Sequence, residues 1–440
     1  MTDKPSADPA DPAVRAASSA DPAASAEAAV PDGPAPGGPA PGGPVPDVTV
    51  VVGAYQAMPY LVKCLESVEA QTLGADRIEI VAVDDGSTDG TGEYLEEFAA
   101  RSAVATRVVR QANSGGPGGP RNKGLSLARG RFVFFLDADD YFGEEALERM
   151  VAMADRAGTD VVLGKVVGVN RGAPKSMWKK TVEHADVYAS NVMYTLSAQK
   201  LFRRELLVRH GMRFDTSMRT GEDALFTLEA YLRGSGVSVV ADYTCYHLVG
   251  RDDGVHLTKS GSHAIRFESA RRLMELIAEL VPPGDRRDQL MVRPFTITLL
   301  PQFGPVVLNQ SREVLAGKFE LAAPLTAAHF TPGLARRLKP QDRLRLTCVA
   351  LGKQDALLEI VGYLKAGTSP ETVRGLRGEY LAYPRFRDRA TGIPDSAYQL
   401  TGRPGTLRTA LGRARRPART VVRRARRLAG RTLRWFGLRR

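Results

Sequence analysis

Four groups of acidic and polar residues stand in this chain where they could bind a diphosphate together with a metal ion. In chain order they are Asp84-Asp85-Gly86-Ser87, a loop from Asn113 to Asn122, Asp137-Ala138-Asp139-Asp140, and Glu222-Asp223. The first three follow or flank apolar, strand-like runs. Carboxylates at the ends of parallel strands lie in the crevice where open α/β sheets bind ligands. The order suits a sugar nucleotide with its divalent metal and indicates an enzyme.

The Asp137-Ala138-Asp139 motif follows directly on the apolar run 131–136. Alternation in an extended chain would put both carboxylates on the same side. Hard oxygen ligands of this kind suit Mg²⁺ or Mn²⁺ shared with a diphosphate. Alone, the motif is weak, because Asp is also a favoured turn residue. The other ordered motifs are what favour a metal.

The glycine-rich loop 115–119 is not a dinucleotide fingerprint. It lacks the G-x-G-x-x-G order, it does not follow the first strand, and the next expected helix covers only 122–129. Asn113 before the loop and Arg121 after it give the loop a second interpretation. An amide that reads a base or ribose and a guanidinium that holds a phosphate would bracket a nucleotide.

Apolar runs and helical spacings predict the elements that position these motifs. Strands are expected at 47–52, 77–83, 103–109 and 131–136, with helices between them. The alternation continues with a helix to 157, a strand at 160–167, a helix at 221–232, a strand at 237–246 and an amphipathic helix at 260–280. This pattern predicts an α/β fold with a mainly parallel sheet and helices on both faces.

The two ends of the chain differ from its middle. Residues 1–46 are dominated by Ala, Pro, Gly and Asp, which predicts a disordered tether without the features of a signal peptide. Residues 403–440 hold fourteen Arg and no Asp, Glu or Lys. The chain carries 61 basic and 49 acidic residues, a net charge of +12, whereas without this segment it carries 47 and 49, or −2. The basic character therefore belongs to the Arg-rich segment 403–440.

About 355 residues between these ends suggest two domains. Val281-Pro282-Pro283-Gly284 is a plausible boundary, so we expect a nucleotide-binding domain over 47–281 and a smaller accessory domain over 282–402, for acceptor binding or self-association. Three separated cysteines form no CxxC pair, which favours a reducing cytoplasm over a disulfide framework or zinc site. No apolar run reaches the 18 or so residues needed to cross a bilayer.

Together, these motifs resemble the family 2 glycosyltransferases, which have the GT-A fold. The resemblance covers roughly residues 47–260 and departs from the family at Pro120, where Ala is usual, with unchanged spacing. The matching segments are Val50-Val51-Val52-Gly53-Ala54-Tyr55, Val83-Asp84-Asp85-Gly86-Ser87-Thr88-Asp89-Gly90, Asn113-x-Gly115, Arg121-Asn122-x-Gly124-Leu125, Phe135-Leu136-Asp137-Ala138-Asp139-Asp140 and Gly221-Glu222-Asp223.

The resemblance implies an enzyme that transfers a sugar from a nucleotide donor with inversion at the anomeric carbon. It assigns Asp223 as the base that deprotonates the acceptor hydroxyl, with Glu222 as its neighbour. It assigns Asp139 to the metal, Mn²⁺ or Mg²⁺, with His247 as a second ligand if His247 is not simply structural. The donor-binding residues that it implies are Ala54, Tyr55, Asp84 or Asp85, Asn113, Arg121, Asp137, Ala138, Asp139 and Arg251.

Physical chemistry supports the assignment of Asp223 as the base. The alternative is that Glu222 and Asp223 only cap a helix. An in-line displacement needs one carboxylate opposite the leaving group and a cation behind that group. A helix start favours the ionised carboxylate that a base requires.

The Arg-rich segment 403–440 also carries apolar residues at helical spacing and ends near Trp435 and Phe436. This pattern is typical of an interfacial helix on an anionic membrane. Nucleic-acid binding and a solvated segment are the alternatives, and a phosphate-rich polymer would attract the same arginines. We therefore expect a cytoplasmic protein, peripheral on the inner face of the membrane, with nucleic acid an unlikely partner.

The resemblance favours a UDP-sugar donor, such as UDP-GlcNAc, and a cell-envelope polymer or lipid-linked glycan as acceptor. Within the family, the motifs are most similar to enzymes that add N-acetylglucosamine to the polyol-phosphate chains of wall teichoic acid. Two alternatives remain open: a capsular or exopolysaccharide glycosyltransferase with another donor, and a non-catalytic protein that binds anionic polymer or membrane. Homo-oligomerisation is also open.

Overall fold

A computed structural model describes residues 44–251 and 263–400 of the chain. A curled sheet of eight strands lies at its centre, with the strand order β3-β2-β1-β4-β7-β6-β8-β5. The strands are β1 (Val48–Ala54), β2 (Ile78–Asp84), β3 (Ala105–Arg110), β4 (Phe132–Asp137), β5 (Tyr141–Phe142), β6 (Val161–Val169), β7 (Leu201–Arg203) and β8 (Val237–Val249).

The first four strands form a parallel block, as the alternating pattern predicts. β1 pairs in parallel with β2 and β4, and β2 pairs in parallel with β3. Every residue of β2 is buried, and so are nearly all of β1 and β4, since helices cover both faces of the block. β7 joins this block antiparallel to both β4 and β6, so the whole sheet is mixed.

Helices surround the sheet and then continue as a helical C-terminal region. The predicted mixture of helix and strand after residue 285 is mostly helix, with a single hairpin of β9 (Thr372–Gly375) and β10 (Gly378–Leu381). The helices are α1 (Tyr60–Glu69), α2 (Thr91–Arg101), α3 (Gly118–Leu127), α4 (Ala146–Ala157), α5 (Arg204–Arg209), α6 (Glu222–Arg233), α7 (His263–Leu280), α8 (Asp285–Arg293), α9 (Arg312–His329), α10 (Pro332–Arg337), α11 (Pro340–Ala350) and α12 (Gln354–Lys365).

Helix α3 differs from its prediction because it begins at Gly118, inside the glycine-rich loop, rather than at Asn122. Glycine and proline are poor helix formers, so the sequence pattern disfavours this start. Close packing explains it: a Cβ at Gly124 would lie 2.3 Å from Cγ1 of Val51, and Pro120 packs against Gly53. Proline is also tolerated in the first turn of a helix. The expectation that no helix starts in the glycine-rich loop was therefore wrong.

One continuous cluster of buried apolar residues runs from the sheet into the C-terminal helices, from Val51 on β1 to Tyr398. The predicted domain boundary at 281/282 lies within this packed region and stays a prediction. All three cysteines are free and buried. In the described residues, no helix is both long and apolar enough to span a membrane. The predictions for 1–43 and for 403–440 lie outside the described residues.

Candidate active site

The parallel block brings the first three sequence motifs to one edge of the sheet. In the strand register, Ala54 at the end of β1 is paired with Asp84, and Gly53 is paired with Asp137. Because the strands run in the same direction, their carboxyl ends meet there. The sequence prediction of a shared edge is confirmed.

Asp84 and Asp85 hold the loops of this edge in place. Asp84 is 1% exposed, accepts a hydrogen bond from the Ser87 N–H (3.0 Å) and lies 3.5 Å from Nε of Arg110. Asp85 accepts from Nε2 of Gln111 (2.6 Å) and from the hydroxyl of Ser114 (2.9 Å). Both carboxylates lie where a base could approach, but protein donors already occupy their oxygens.

Tyr55 and Asn113 lie at the outer side of the same edge. Tyr55 follows the buried Ala54 and is 52% exposed, which leaves its ring free to stack on a base. Asn113 accepts a hydrogen bond from the Gly115 N–H (2.8 Å) and is exposed. These positions agree with a nucleotide pocket, and the contacts with a nucleotide remain predictions.

Arg121 links the third and fourth motifs. Its side chain is nearly buried, with Nη2 at 2.8 Å from Oδ1 of Asp137 and Nη1 at 3.2 Å from Oε1 of Glu222. Burial opposes the charge, but the two carboxylates more than offset it and raise the pKa of Arg121. The guanidinium that was predicted to hold a phosphate therefore uses two of its N–H groups to orient Asp137 and Glu222.

Gln199 is a contact of Asp137 that the motifs did not indicate. Its side-chain amide donates to Oδ2 of Asp137, so Arg121 and Gln199 occupy one oxygen each. The Asp137 side chain is still 30% exposed. The carboxylate is thus held in one orientation with its open side toward solvent.

The Asp137-Ala138-Asp139-Asp140 segment is a turn and not the extended chain that the alternation argument assumed. The Asp140 N–H donates to the Asp137 carbonyl (3.0 Å), and the intervening Ala138 is buried. β4 ends at Asp137, because the aspartates that follow favour a turn. Asp137 and Asp139 are therefore brought together by a tight turn.

Asp139 and Asp140 have different environments in this turn. Asp140 accepts from the Tyr246 hydroxyl and the Val249 N–H, both at 2.7 Å. Burial and the neighbouring carboxylates raise its pKa to about 8. Burial and then Asp137 also raise the pKa of Asp139. In the described part of the chain, no side chain donates a hydrogen bond to Asp139, so its oxygens are available to a cation.

Glu222 and Asp223 open helix α6 directly after Gly221, which has φ = 93°. Burial and the adjacent Asp223 raise the pKa of Glu222 to about 7. Burial also raises the pKa of Asp223, while Arg121, the Ala224 N–H and Lys200 act in the opposite direction. No salt bridge joins Asp223 to a described residue, so the candidate base is not tied to a cation.

Two basic residues near Asp223 were missed by sequence reasoning. Lys200 is 2% exposed and its amine donates to the Ser197 carbonyl, which also accepts from Thr227, one turn after Asp223 on α6. Burial lowers the pKa of Lys200 to about 7, with Asp223 opposing the shift. Arg293 at the end of α8 interacts electrostatically with Asp223, and its buried Nε has no hydrogen-bond partner. Both lie in segments without a recognisable motif.

His247 stacks on Tyr141, with ring centroids 4.4 Å apart. Nζ of Lys63 lies 3.7 Å from the centroid of the Tyr141 ring. Burial and then Lys63 lower the pKa of His247, which favours the neutral imidazole. Arg251 donates to the Gln56 carbonyl (3.1 Å), in the loop after β1. The segment after β8 therefore lies beside the loop after β1, next to Tyr55.

The two predicted metal ligands have the chemistry that a hard divalent cation requires. Asp139 offers carboxylate oxygens without side-chain donors, and a neutral His247 can act as a ligand. The described residues contain no group of three or more His, Cys, Asp or Glu side chains arranged to hold a metal.

The sequence matches two protein families along its length. The profile of Glycosyl transferase family 2 matches residues 49–217, and that of the Glycosyl transferase TarS linker domain matches residues 266–361. The first covers the parallel block and the second covers the helices that follow α6.

Three known proteins show how far this similarity extends. The poly(ribitol-phosphate) beta-glucosyltransferase of Bacillus spizizenii is 35% identical over 257 residues, which are 58% of this chain and 40% of that protein. The succinoglycan biosynthesis protein ExoO of Rhizobium meliloti is 32% identical over 316 residues, 67% of this chain and 86% of that protein. The crystal structure of S. aureus TarS 1–349 in complex with UDP-GlcNAc superposes with a TM-score of 0.69 at 28% identity, covering 77% of this chain and 97% of that one. The chain thus spans less than half the length of the first of these relatives.

Proposed function

Because the chain belongs to glycosyl transferase family 2, we propose that it transfers a sugar from a nucleotide sugar to a hydroxyl of a polyol-phosphate polymer. The observation that carries this proposal is the linked set of Asp137, Arg121 and Glu222 beside Asp223 at the carboxyl edge of the sheet. A fixed group of carboxylates next to an untethered one can hold a donor on one side and activate an acceptor on the other.

On the donor side, the exposed ring of Tyr55 would stack on the base, and Asp137 would bind the ribose or the diphosphate. UDP-GlcNAc is the donor we favour, since the TarS structure that this chain resembles contains it. We further propose Mn²⁺ or Mg²⁺ at Asp139, with His247. Such an ion would neutralise charge on the departing diphosphate.

On the acceptor side, Asp223 would accept the proton of the attacking hydroxyl. A single base opposite the leaving group implies in-line displacement and inversion at the anomeric carbon. Lys200 and Arg293 lie close enough to Asp223 to favour its ionised form.

The polyol-phosphate acceptor is supported by the names of the relatives and by the match to the TarS linker domain. A second candidate is a glycosyltransferase of exopolysaccharide synthesis, because the likeness to ExoO spans more of this chain. Peripheral binding to the inner membrane face through 403–440 completes the proposal.

The test is release of nucleoside diphosphate and labelling of acceptor with UDP-, GDP-, dTDP- and CDP-sugars, with and without Mn²⁺. Poly(ribitol phosphate) and a neutral polysaccharide serve as acceptors. We expect transfer from one UDP-sugar to the polyol phosphate. Asp223→Asn should lower kcat by about 10²- to 10⁴-fold, since it removes the general base.

Glu229→Gln is the matched control for this variant. Glu229 is a carboxylate on the same helix, and it pairs with Arg233 at 2.7 Å, away from the site. Equal activity of Asp223→Asn and Glu229→Gln would rule out the assigned base. Transfer only to the neutral polysaccharide would favour the second candidate.

A further inference from the structure

A second basic site lies at the opposite edge of the sheet from the candidate active site. A cleft of about 590 Å³ opens where β1 and β4 begin and where β7 ends. We call it the arginine cleft. It is lined by Arg129, Arg131, Arg203, Arg204 and Arg209, with Val45, Gly130, Glu205 and Val208.

Carboxylates behind the wall of the arginine cleft hold three of these guanidinium groups in place. Glu79 pairs with Arg129 at 2.9 Å, and Asp160 pairs with Arg203 at 2.9 Å. Their carboxylate side chains are only 5% and 14% exposed, whereas the paired arginines are 37% and 25% exposed. Asp47, also largely buried, holds Arg131 in the same way. Two exposed carboxylates also pair with arginines of the cleft: Asp155 pairs with Arg131, and Glu205, which is itself in the lining, pairs with Arg209. The lining still holds five arginines and one carboxylate, so the cleft is basic.

Arg204 has no such partner. Its buried Nε has no hydrogen-bond partner among the described residues, and no described carboxylate lies within salt-bridge distance of its guanidinium. A guanidinium without a carboxylate partner can donate from both of its Nη groups to a phosphate. Each guanidinium has five N–H donors, and the ion pairs of the neighbouring arginines use only some of them. The arginine cleft therefore has unused donors, and those of Arg129, Arg131 and Arg203 are held in place by ion pairs.

We propose that the arginine cleft binds a phosphodiester segment of the acceptor polymer, away from the reaction centre. This inference rests on the proposed function, because that function supplies a polymer with a phosphate in every repeating unit. Guanidinium groups match the oxygens of phosphate in bidentate geometry, which a lysine cluster would not do. Holding the arginines in place beforehand reduces the entropy lost on binding.

A polymer segment suits the arginine cleft better than a membrane does. An interfacial surface needs apolar and aromatic side chains that enter the lipid. Among the described residues of the lining none is aromatic, and the apolar side chains are those of Val45 and Val208. A concave site with guanidinium walls fits a strand of phosphodiesters that lies along it.

The two sites are separated by at least the length of β4. Five steps from Phe132 to Asp137 at about 3.3 Å each give about 17 Å. A short acceptor cannot reach both edges, whereas a polymer can. Simultaneous binding would raise the effective concentration of the polymer at the active site without any change in the chemistry.

The test compares the wild type with the double variant Arg204→Gln/Arg209→Gln. Long poly(ribitol phosphate) and an acceptor of one or two repeating units are used with the same donor. We expect the double variant to raise the KM for the polymer about tenfold at unchanged kcat, because two charged hydrogen bonds are lost. The KM for the short acceptor should not change.

Arg312→Gln is the matched control, since Arg312 and Arg209 have side chains of equal exposure, 63%, and each pairs with one carboxylate. It should leave both KM values unchanged. An unchanged KM for the polymer in the double variant, or an equal rise for both acceptors, would overturn the proposal.

Direct binding separates this proposal from the proposed function. Labelled poly(ribitol phosphate) is titrated into Asp223→Asn protein with and without the two Arg→Gln changes. If the wild type transfers no sugar, the proposed function fails, and the cleft is judged by binding alone: weaker binding in the double variant supports it, and equal binding overturns it. If the double variant instead loses binding to phosphatidylglycerol vesicles and keeps polymer binding, the cleft is a lipid site and the proposal is wrong.

Discussion

Arg121 is the residue on which the geometry of the candidate site depends most. It is nearly buried, and it contacts Asp137 at the end of β4 and Glu222 at the start of α6. Removing one partner of a buried ion pair leaves the other charge uncompensated, which is strongly destabilising. The first effect of removing Arg121 is therefore structural, because this one side chain joins two segments that are far apart in the sequence.

Lys200 should act as a positioning residue through its charge. Its pKa of about 7 means that it is protonated below neutral pH, where it favours the ionised form of Asp223. Lys200→Met removes that charge and should raise the pKa of Asp223. We therefore expect the acidic limb of the kcat/KM profile to move to higher pH, as measured by transfer rates between pH 5 and 9.

Lys318 provides the control for this effect. It is equally buried, at 2% exposure, and its amine donates to a single carbonyl, that of Gln302, but it lies in α9. Lys318→Met should leave the pH profile in place even if stability changes. An identical shift in both variants, or no shift in Lys200→Met, would contradict the role assigned to Lys200.

Helix α3 packs closely against β1 of the sheet. It carries Arg121, and its axis is set by Gly124, whose missing side chain leaves room for Val51 of β1. A change in the position of α3 moves the guanidinium that orients Asp137 and Glu222. The packing of this helix is therefore part of the active-site geometry.

Gly124→Ala should destabilise the protein by about 1–3 kcal/mol, because the new Cβ would lie 2.3 Å from Cγ1 of Val51. Urea unfolding gives the free energy, and we also expect a lower kcat. Gly317→Ala is the comparison: Gly317 lies inside α9 with no atom within 4 Å of the added Cβ, so this change should stabilise by about 0.5–1 kcal/mol. If both variants shift stability in the same direction, the packing argument for α3 fails.

The elements also show how far the sequence could predict the site. The strands β1, β2 and β4 are clear as apolar runs, so the meeting of Ala54, Asp84 and Asp137 could be predicted. Gln199, Lys200 and Arg293 could not, because they come from an irregular stretch and from a helix end that are adjacent to the site only in the folded chain. The helical start at Gly118 was missed for a related reason, since contact with Val51 and Gly53 overrides weak local propensity.

For the whole molecule, the charge distribution makes a separate prediction. Deleting 403–440 changes the net charge from +12 to −2. We expect this deletion to abolish binding to phosphatidylglycerol vesicles at low salt, as measured by co-sedimentation, since each basic residue near such a surface contributes about 1 kcal/mol. Transfer to a soluble acceptor should stay within about twofold, because none of the residues assigned to the candidate site lies in 403–440.

The salt concentration and a loss of charge elsewhere in the chain provide the controls for this deletion. Vesicle binding by the full chain should weaken as salt is raised, because exposed charges are screened. The Arg204→Gln/Arg209→Gln double variant should keep its vesicle binding. Retention of vesicle binding by the deleted chain would refute the membrane role proposed for this segment.

The continuous buried cluster from Val51 to Tyr398 has a consequence for how such chains diversify in evolution. Where two regions share one hydrophobic interior, neither can be exchanged as a cassette without leaving complementary apolar surfaces exposed. The sheet and the helices after residue 263 are therefore expected to be inherited together, and to accumulate compensating substitutions across their contact. New acceptor preferences would then arise by replacing side chains at exposed rims, such as that of the arginine cleft, and not by shuffling domains.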